Sequence, residues 1–211
     1  MAQYETDEEK VEAIKQWWKE NGLAVAAGLV FGLVAVFGWR AWQDHQENRA
    51  QQASATFEQL LAVASRSDAD AAAASQLTKR LHEDFGGTPY AALGSLVMAR
   101  VALAGDDREA AKEALGQAID EAPDPALADI AALRLARILI DEQDLEGADA
   151  ILAGLDAGGA FAGEIAALRG DIAAARGDLE GARTAYREAL ASGASQAQLI
   201  EIKLANLPAA G

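Results

Sequence analysis

The chain has 211 residues, with 33 Asp and Glu against 18 Lys and Arg, a formal net charge of −15. A surface this acidic repels nucleic acid phosphates and anionic headgroups, so no nucleic acid partner is expected and a domain should stand off a membrane rather than lie on it. The absence of Cys excludes disulfides, thiol nucleophiles and Cys-type zinc sites, and 6% aromatics with an Ala-inflated 51% apolar content suit helices packed through small side chains.

Residues 1–21 form a short acidic leader in which Glu5, Asp7, Glu8, Glu9, Glu12 and Glu20 outnumber Lys10, Lys15 and Lys19. Thr6 and Glu9 have the spacing of a capping box, and Val11, Ile14 and Trp18 share a helix face. That face suits a partner or the membrane interface.

Residues 22–42 carry the strongest single signal. Leu23 to Trp39 read LAVAAGLVFGLVAVFGW, without a charge or strongly polar group. With Gly22 this makes about 27 Å of helix, close to the hydrocarbon core of a bilayer, roughly 30 Å. Trp17 and Trp18 precede it, and Trp39 and Trp42 close it, where interfacial aromatics belong. A cleaved signal peptide would have a basic leader, a shorter apolar run and a small-residue cleavage site. None is present, so an uncleaved anchor is expected. A buried core helix is the alternative, but the run has no polar face. Lys10, Lys15 and Lys19 against Arg40 and Arg49 point weakly to a cytoplasmic amino end. Gly28 and Gly32 enclose GLVFG, a G-x-x-x-G that can seat a second transmembrane helix.

Residues 43–88 are expected to form a stalk and N-terminal helices. No Gly or Pro interrupts Trp42 to Ser65, so the membrane helix should run on until Phe57, Leu60 and Leu61 meet a core. A helix over 68–82 follows, with Leu77 and Leu81 facing inward, ended by Gly86 and Gly87. His45 and His82 have no second His or Cys beside them and are read as surface or half-buried side chains.

Residues 89–211 repeat. The clearest unit, 163–196, contains LRGDIAAARGDLEGARTAYREALASG and is similar to the 34-residue tetratricopeptide repeat. Gly170 takes the small position of the first helix, Gly177-Asp178-Leu179 the turn, and Ala182, Tyr186 and Ala189 the small, aromatic, small series of the second. An upstream copy has Ala99, Asp107, then Ala111, Leu115 and Ala118, with Thr88 as cap, Pro89 in the first turn and Pro123 at the end. Another has Ala136, Gln143-Asp144-Leu145, then Ala148, Leu152 and Leu155. Ala111, Ala148 and Ala182 stand 37 and 34 residues apart. The expected fold is therefore all-α: one N-terminal transmembrane helix followed by a tetratricopeptide-repeat-like helical array. Ala166, Arg169, Ala173 and Ala194 depart from the repeat's larger residues, which predicts tighter or irregular packing.

No catalytic constellation is legible. G-x-S-x-G, G-x-G-x-x-G after a strand, H-E-x-x-H and an EF-hand loop are all absent, so neither enzyme activity nor a metal or cofactor is expected. A stacked array instead binds through a wall formed by the first helices of its repeats. Repeat equivalence places Leu96, Arg100 and Leu103 on that wall, then Leu133, Arg137 and Ile140, then Ala167, Asp171 and Ala174. Arg100 and Arg137 are candidates for a partner's carboxylate or for pairing with neighbouring acids.

Taken in order, the leader VEAIKQWWKENG, the span ending GWRAWQ, TPYAALGSLVMAR and LRGDIAAARGDLEGARTAYREAL resemble the family of ancillary subunits of the bacterial Sec translocon. The resemblance covers nearly the whole chain. It implies a single-pass inner-membrane protein with a cytoplasmic amino end and a periplasmic array. Its implied partners are the lipid bilayer, the Sec translocon, a membrane-anchored periplasmic peptidyl-prolyl isomerase-like chaperone and newly exported protein clients. A scaffold of another envelope complex, or an adaptor binding a stress-signalling protein, would share the same sequence features.

Overall fold

In the computed structural model, residues 7–66 and 70–208 are described, with backbone alone for 7–9 and 13. The Thr6 cap lies outside them. The described residues are helical and contain no strand. They fall into two compact units divided after Arg49.

Helix α1 runs Asp7–Ala64, and its residues up to Arg49 make up the first unit. It contains one stretch long and apolar enough to cross a bilayer, with none of that window buried within the protein. Leu23 is 87% exposed and Phe31 76%. Side chains this apolar are stable when so exposed only in an apolar surrounding. Trp17 and Trp18 lie 6.5 Å apart between ring centroids, and Trp39 and Trp42 5.1 Å apart. Among the described residues, nothing lies within 4 Å of where a methyl group on Gly28 or Gly32 would stand.

The second unit begins with the last turns of α1. Ala53, Leu60 and Ala64 are buried against α2 (Ala71–Phe85) and the side of α3 (Pro89–Ala104) that carries Val101. Phe57 packs at the edge of this cluster, together with Leu77, but Leu61 points outward, 40% exposed. The sequence places the start of this helix at Asp68, which lies outside the described residues; within them Asp70 caps α2 at Ala71. The Asp70 carboxylate accepts the Ala72 and Ala73 N–H groups, both at 3.0 Å. Thr88 occupies the N-cap position of α3, yet its hydroxyl does not cap. It donates instead to Phe85 O at 2.7 Å.

The remaining helices are α4 (Arg108–Glu121), α5 (Pro125–Asp141), α6 (Leu145–Ala153), α7 (Ala162–Ala175), α8 (Leu179–Ala191) and α9 (Ala197–Asn206). Each packs on its sequence neighbour, and α5 also meets α7. The pairs α3–α4, α5–α6 and α7–α8 close through the same turn. Asp106, Gln143 and Gly177 take positive φ (61°, 63° and 80°). The next residue, Asp107, Asp144 or Asp178, donates its N–H at 2.9 Å to Ala102, Leu139 or Ala173 O. Its carboxylate then accepts the N–H of Ala110, Gly147 or Gly181 at 2.9–3.0 Å. One residue thus ends the first helix in a Schellman arrangement and the following Asp starts the second.

The anchor alanines Ala111, Ala148 and Ala182 are wholly buried. Their small side chains let the paired helices approach closely enough for Leu115, Leu152 and Tyr186, four residues later, to fill the interior. In the last pair the approach is closest: a methyl group on Gly170 would lie 2.5 Å from the Tyr186 ring. Two of the departures from the repeat pattern, Ala166 and Ala194, lie in close packing. Ala166 is buried beneath α8 and α9, and Ala194 fills the space beside Gly163, whose added methyl would lie 2.6 Å from the Ala194 nitrogen. Leu204 and Leu207 hold α9 against this end of the core.

Candidate functional site

The first and third helices of the array, α3 and α5, both pack on α4. Between them lies a groove of about 410 Å³. Its apolar surface comes from Leu96, Ala99 and Leu103 of α3, Leu115 of α4 and Ile138 of α5. Its polar surface comes from Arg100, Arg108, Arg134, Arg137 and Asp141. Four arginines against one carboxylate make this groove locally basic in a chain of net charge −15.

The arginines are held in different ways. Arg100 donates to Ala64 O at 3.3 Å, which ties α3 to the end of α1. Arg108 stands 3.9 Å from Asp141, with both side chains well exposed, a pairing worth about 0–1 kcal/mol. Arg134 and Arg137 are exposed on one face of α5, three residues apart. Arg137 also reaches toward Glu164 at the start of α7, whose carboxyl it helps hold in its charged form.

Four of the wall positions read from the sequence therefore meet in one place: Leu96, Arg100, Leu103 and Arg137. The others do not. Leu133 is 3% exposed and packs with Ala136, Leu152 and Ile165 in the core beneath α5. Ile140 is half-buried at the edge of the same cluster. Asp171 is occupied within the chain: Tyr186 Oη donates to it at 2.7 Å, and Lys203 Nζ of α9 reaches both its oxygens at 2.7 Å. Burial, and then the Asp171 carboxylate, push the Tyr186 hydroxyl pKa well above its usual value. Ala167 and Asp171 line a smaller recess of about 40 Å³ with Arg137, Ser195 and Leu199.

Arg108 and Arg134 join the groove without having been singled out in the sequence. Repeat equivalence finds Arg100 and Arg137, which are 37 residues apart, but Arg108 belongs to the second helix of its pair and Arg134 to the preceding turn of α5. The available signal was the clustering of arginines over 100–108 and 134–137 in an acidic chain.

A second constellation was not legible at all. His82 of α2 places Nδ1 2.5 Å from Glu121 Oε2 of α4 and Nε2 2.7 Å from Ser95 Oγ of α3. The order Ser, His, Glu matches that of a hydrolase triad, but the setting does not. Ser95 has no exposed surface and lies within α3, where the backbone N–H groups are committed to the helix. A nucleophile needs an approach for the substrate and donors for the oxyanion. The groove of about 410 Å³ lined by Thr78, His82, Glu113 and Glu121 is not lined by Ser95. The three side chains act as a clasp joining α2, α3 and α4. Among the described residues, no group of three His, Asp or Glu could hold a metal ion.

The model of the tetratricopeptide repeat-like domain family matches residues 15–209. The chain is 32% identical to the ancillary SecYEG translocon subunit of Escherichia coli strain K12 over 208 residues, covering 97% of this chain and 98% of the relative. It is 34% identical over 208 residues to the ancillary SecYEG translocon subunit of Aggregatibacter actinomycetemcomitans, covering 95% and 97%. The Haemophilus influenzae protein of the same name is 33% identical over 143 residues, covering 67% and 68%. No solved structure matches the chain.

Proposed function

Because the chain belongs to the tetratricopeptide repeat-like family whose named relatives are ancillary SecYEG translocon subunits, we propose that it is a membrane-anchored, non-enzymatic binding subunit serving the Sec translocon. The observation carrying this reading is the extent of the similarity, 97% of this chain and 98% of the Escherichia coli relative, which takes in both the apolar stretch and the helical array.

Residues 22–42 cross the inner membrane once, with the leader in the cytoplasm and the array in the periplasm. The open faces of Gly28 and Gly32 suit a close helix–helix contact within the bilayer. Leu96, Arg100, Leu103 and Arg137 form the binding wall, with Leu133, Ile140 and Asp171 behind or beside it. A membrane-anchored, isomerase-like periplasmic chaperone and newly exported chains are the associates that suit this placement. Confinement to the bilayer beside the translocon raises the local concentration of the array, so modest affinities suffice.

The test is purification from membranes in mild detergent, comparing the full chain with one lacking residues 22–42. The full chain should retain SecYEG subunits, and the shortened chain should lose them while keeping its helical circular dichroism. Equal recovery of SecYEG with both would contradict placement by the span. A topology reporter fused after Gly211 should be active in the periplasm.

A further inference from the structure

The last described helix of the array, α9, has two unlike sides. Ile200 is buried, and Leu204 and Leu207 join it against Tyr186 and Ala189 of α8. The side turned away from this core carries Gln198, Leu199, Ile202, Ala205 and Asn206, all exposed. At about 100° of rotation per residue these five positions form one stripe centred on Ile202. Leu199 is 45% exposed and Ile202 52%, more than any other large apolar side chain described in the second unit. A terminal repeat ordinarily turns a polar face to water. Here the stripe is uncharged. Over residues 189–211 the charged side chains are Glu201 and Lys203 alone, in a chain that is 24% charged. Lys203 is engaged by Asp171, and Glu201 lies about 100° round the helix from Ile202.

We infer that α9 pairs through this stripe with α9 of a second copy of the chain, antiparallel about a two-fold axis at Ile202. Two chains of net charge −15 repel where their acidic surfaces meet, and an uncharged stripe lets them touch without like charges facing each other. The stripe is also self-complementary. About that axis Ile202 meets its counterpart, Leu199 meets Ala205, and Gln198 meets Asn206. A large side chain thus faces a small one on each side of the axis, and each amide faces another amide that can both donate and accept. An isologous contact requires this kind of match. A charged partner or an anionic bilayer would find no free opposite charge on the stripe. A pair of ten-residue helices buries less than the roughly 800 Å² per partner of a stable interface. The contact is therefore weak between free chains and depends on both copies sharing one bilayer, which raises their local concentration. The pairing goes beyond the translocon reading and takes from it only the membrane anchor.

The chain has no Cys, so single cysteines report the register without background. The experiment oxidises full-length variants with copper phenanthroline in membranes from which the chain resists carbonate extraction, which separates failure of the pairing from failure of the anchor. Ile202→Cys should give a disulfide-linked homodimer, about tenfold or more above Glu201→Cys, whose side chain points off the stripe. Leu199→Cys and Ala205→Cys should link to each other when co-expressed. Neither should link efficiently to itself, because antiparallel pairing sets the two copies of each position about 9 Å apart along the helix, beyond the roughly 7 Å that a disulfide spans between Cα atoms. Adding Leu199→Asp to Ile202→Cys should remove the homodimer while helical circular dichroism is kept, since the new carboxylate would be buried in the contact and Leu199 is exposed in the single chain. The linkage between positions 199 and 205 tests the pairing without any change of charge. The inference is overturned if Ile202→Cys gives no homodimer, if Glu201→Cys links equally well, or if Leu199→Cys links to itself as readily as to Ala205→Cys. It is overturned equally if Leu199→Asp leaves the homodimer intact, or if the Ile202→Cys chain links to a different protein in place of its own copy.

Discussion

Gln143 holds φ at +63°, the same conformation that Gly177 supplies in the last repeat. A side chain there costs about 1–2 kcal/mol, part of which glycine gives back through the entropy of the unfolded chain. Gln143→Gly should therefore raise stability by about 0.5–1 kcal/mol, read as a higher urea midpoint by circular dichroism. An unchanged or lower midpoint would show that the turn is not strained. At Gly170 the direction reverses. An added methyl meets the Tyr186 ring at 2.5 Å, so Gly170→Ala should destabilise by about 1–3 kcal/mol in the same assay. Both positions were visible as repeat landmarks in the sequence. The positive φ at Asp106 and Gln143 was not, because neither residue type announces it as glycine does. Leu133 shows the limit of carrying a wall from one repeat to the next. It matches Leu96 in register and both are nearly closed to solvent, but Leu96 still lines the groove whereas Leu133 packs under Leu152 and Ile165 of α6 and α7.

Between elements, the hydrogen bonds that fix helix to helix join residues far apart in sequence, and no local pattern reports them. His82 bridges Ser95 and Glu121 across three helices. His82→Ala leaves the wholly buried Ser95 hydroxyl without this partner and should cost about 1–3 kcal/mol in unfolding free energy. Unchanged stability would reduce the clasp to a surface contact. Glu164 at the start of α7 plays a comparable part at the other end, accepting the Ser195 N–H at 3.0 Å. Burial raises its pKa, but hydrogen bonds from Ser195 and the charge of Arg137 outweigh burial, so the folded value lies below the usual one. A lowered carboxyl pKa adds stability above the unfolded pKa of about 4.3, and that contribution disappears as pH falls through the folded value. The difference in unfolding free energy between the unmodified chain and Glu164→Gln should therefore be present at neutral pH and close under acid. A gap independent of pH would contradict this account. The engagement of Asp171 by Lys203 belongs to the same class: the sequence marks a carboxylate at a wall position, and α9, arriving from the C-terminal side, occupies it.

Over the whole molecule, two features of the sequence carry most of the architecture. Seventeen uncharged positions have no soluble helical face to bury, and alanines at 37- and 34-residue intervals demand closely paired helices. Helix α1 runs from Asp7 to Ala64, as the lack of Gly and Pro from Trp42 to Ser65 permits. What remained hidden was charge placement. A net charge of −15 says nothing of where the few cations gather, and repeat register found Arg100 and Arg137 but missed the Arg108 and Arg134 that complete the groove. Three flanking lysines against two arginines are too even to set sidedness, and the cytoplasmic amino end is what the family resemblance implies.

The central claim is that the apolar stretch of α1 sits in the bilayer beside the translocon. Photocrosslinking in intact membranes tests it most directly, with a photoreactive residue placed singly at positions across 23–39, Gly28 and Gly32 included. The account predicts adducts with SecYEG subunits from one face of this helix, in chains that resist alkaline carbonate extraction. Release of the chain by carbonate, or adducts with SecYEG from no position along the stretch, would contradict it.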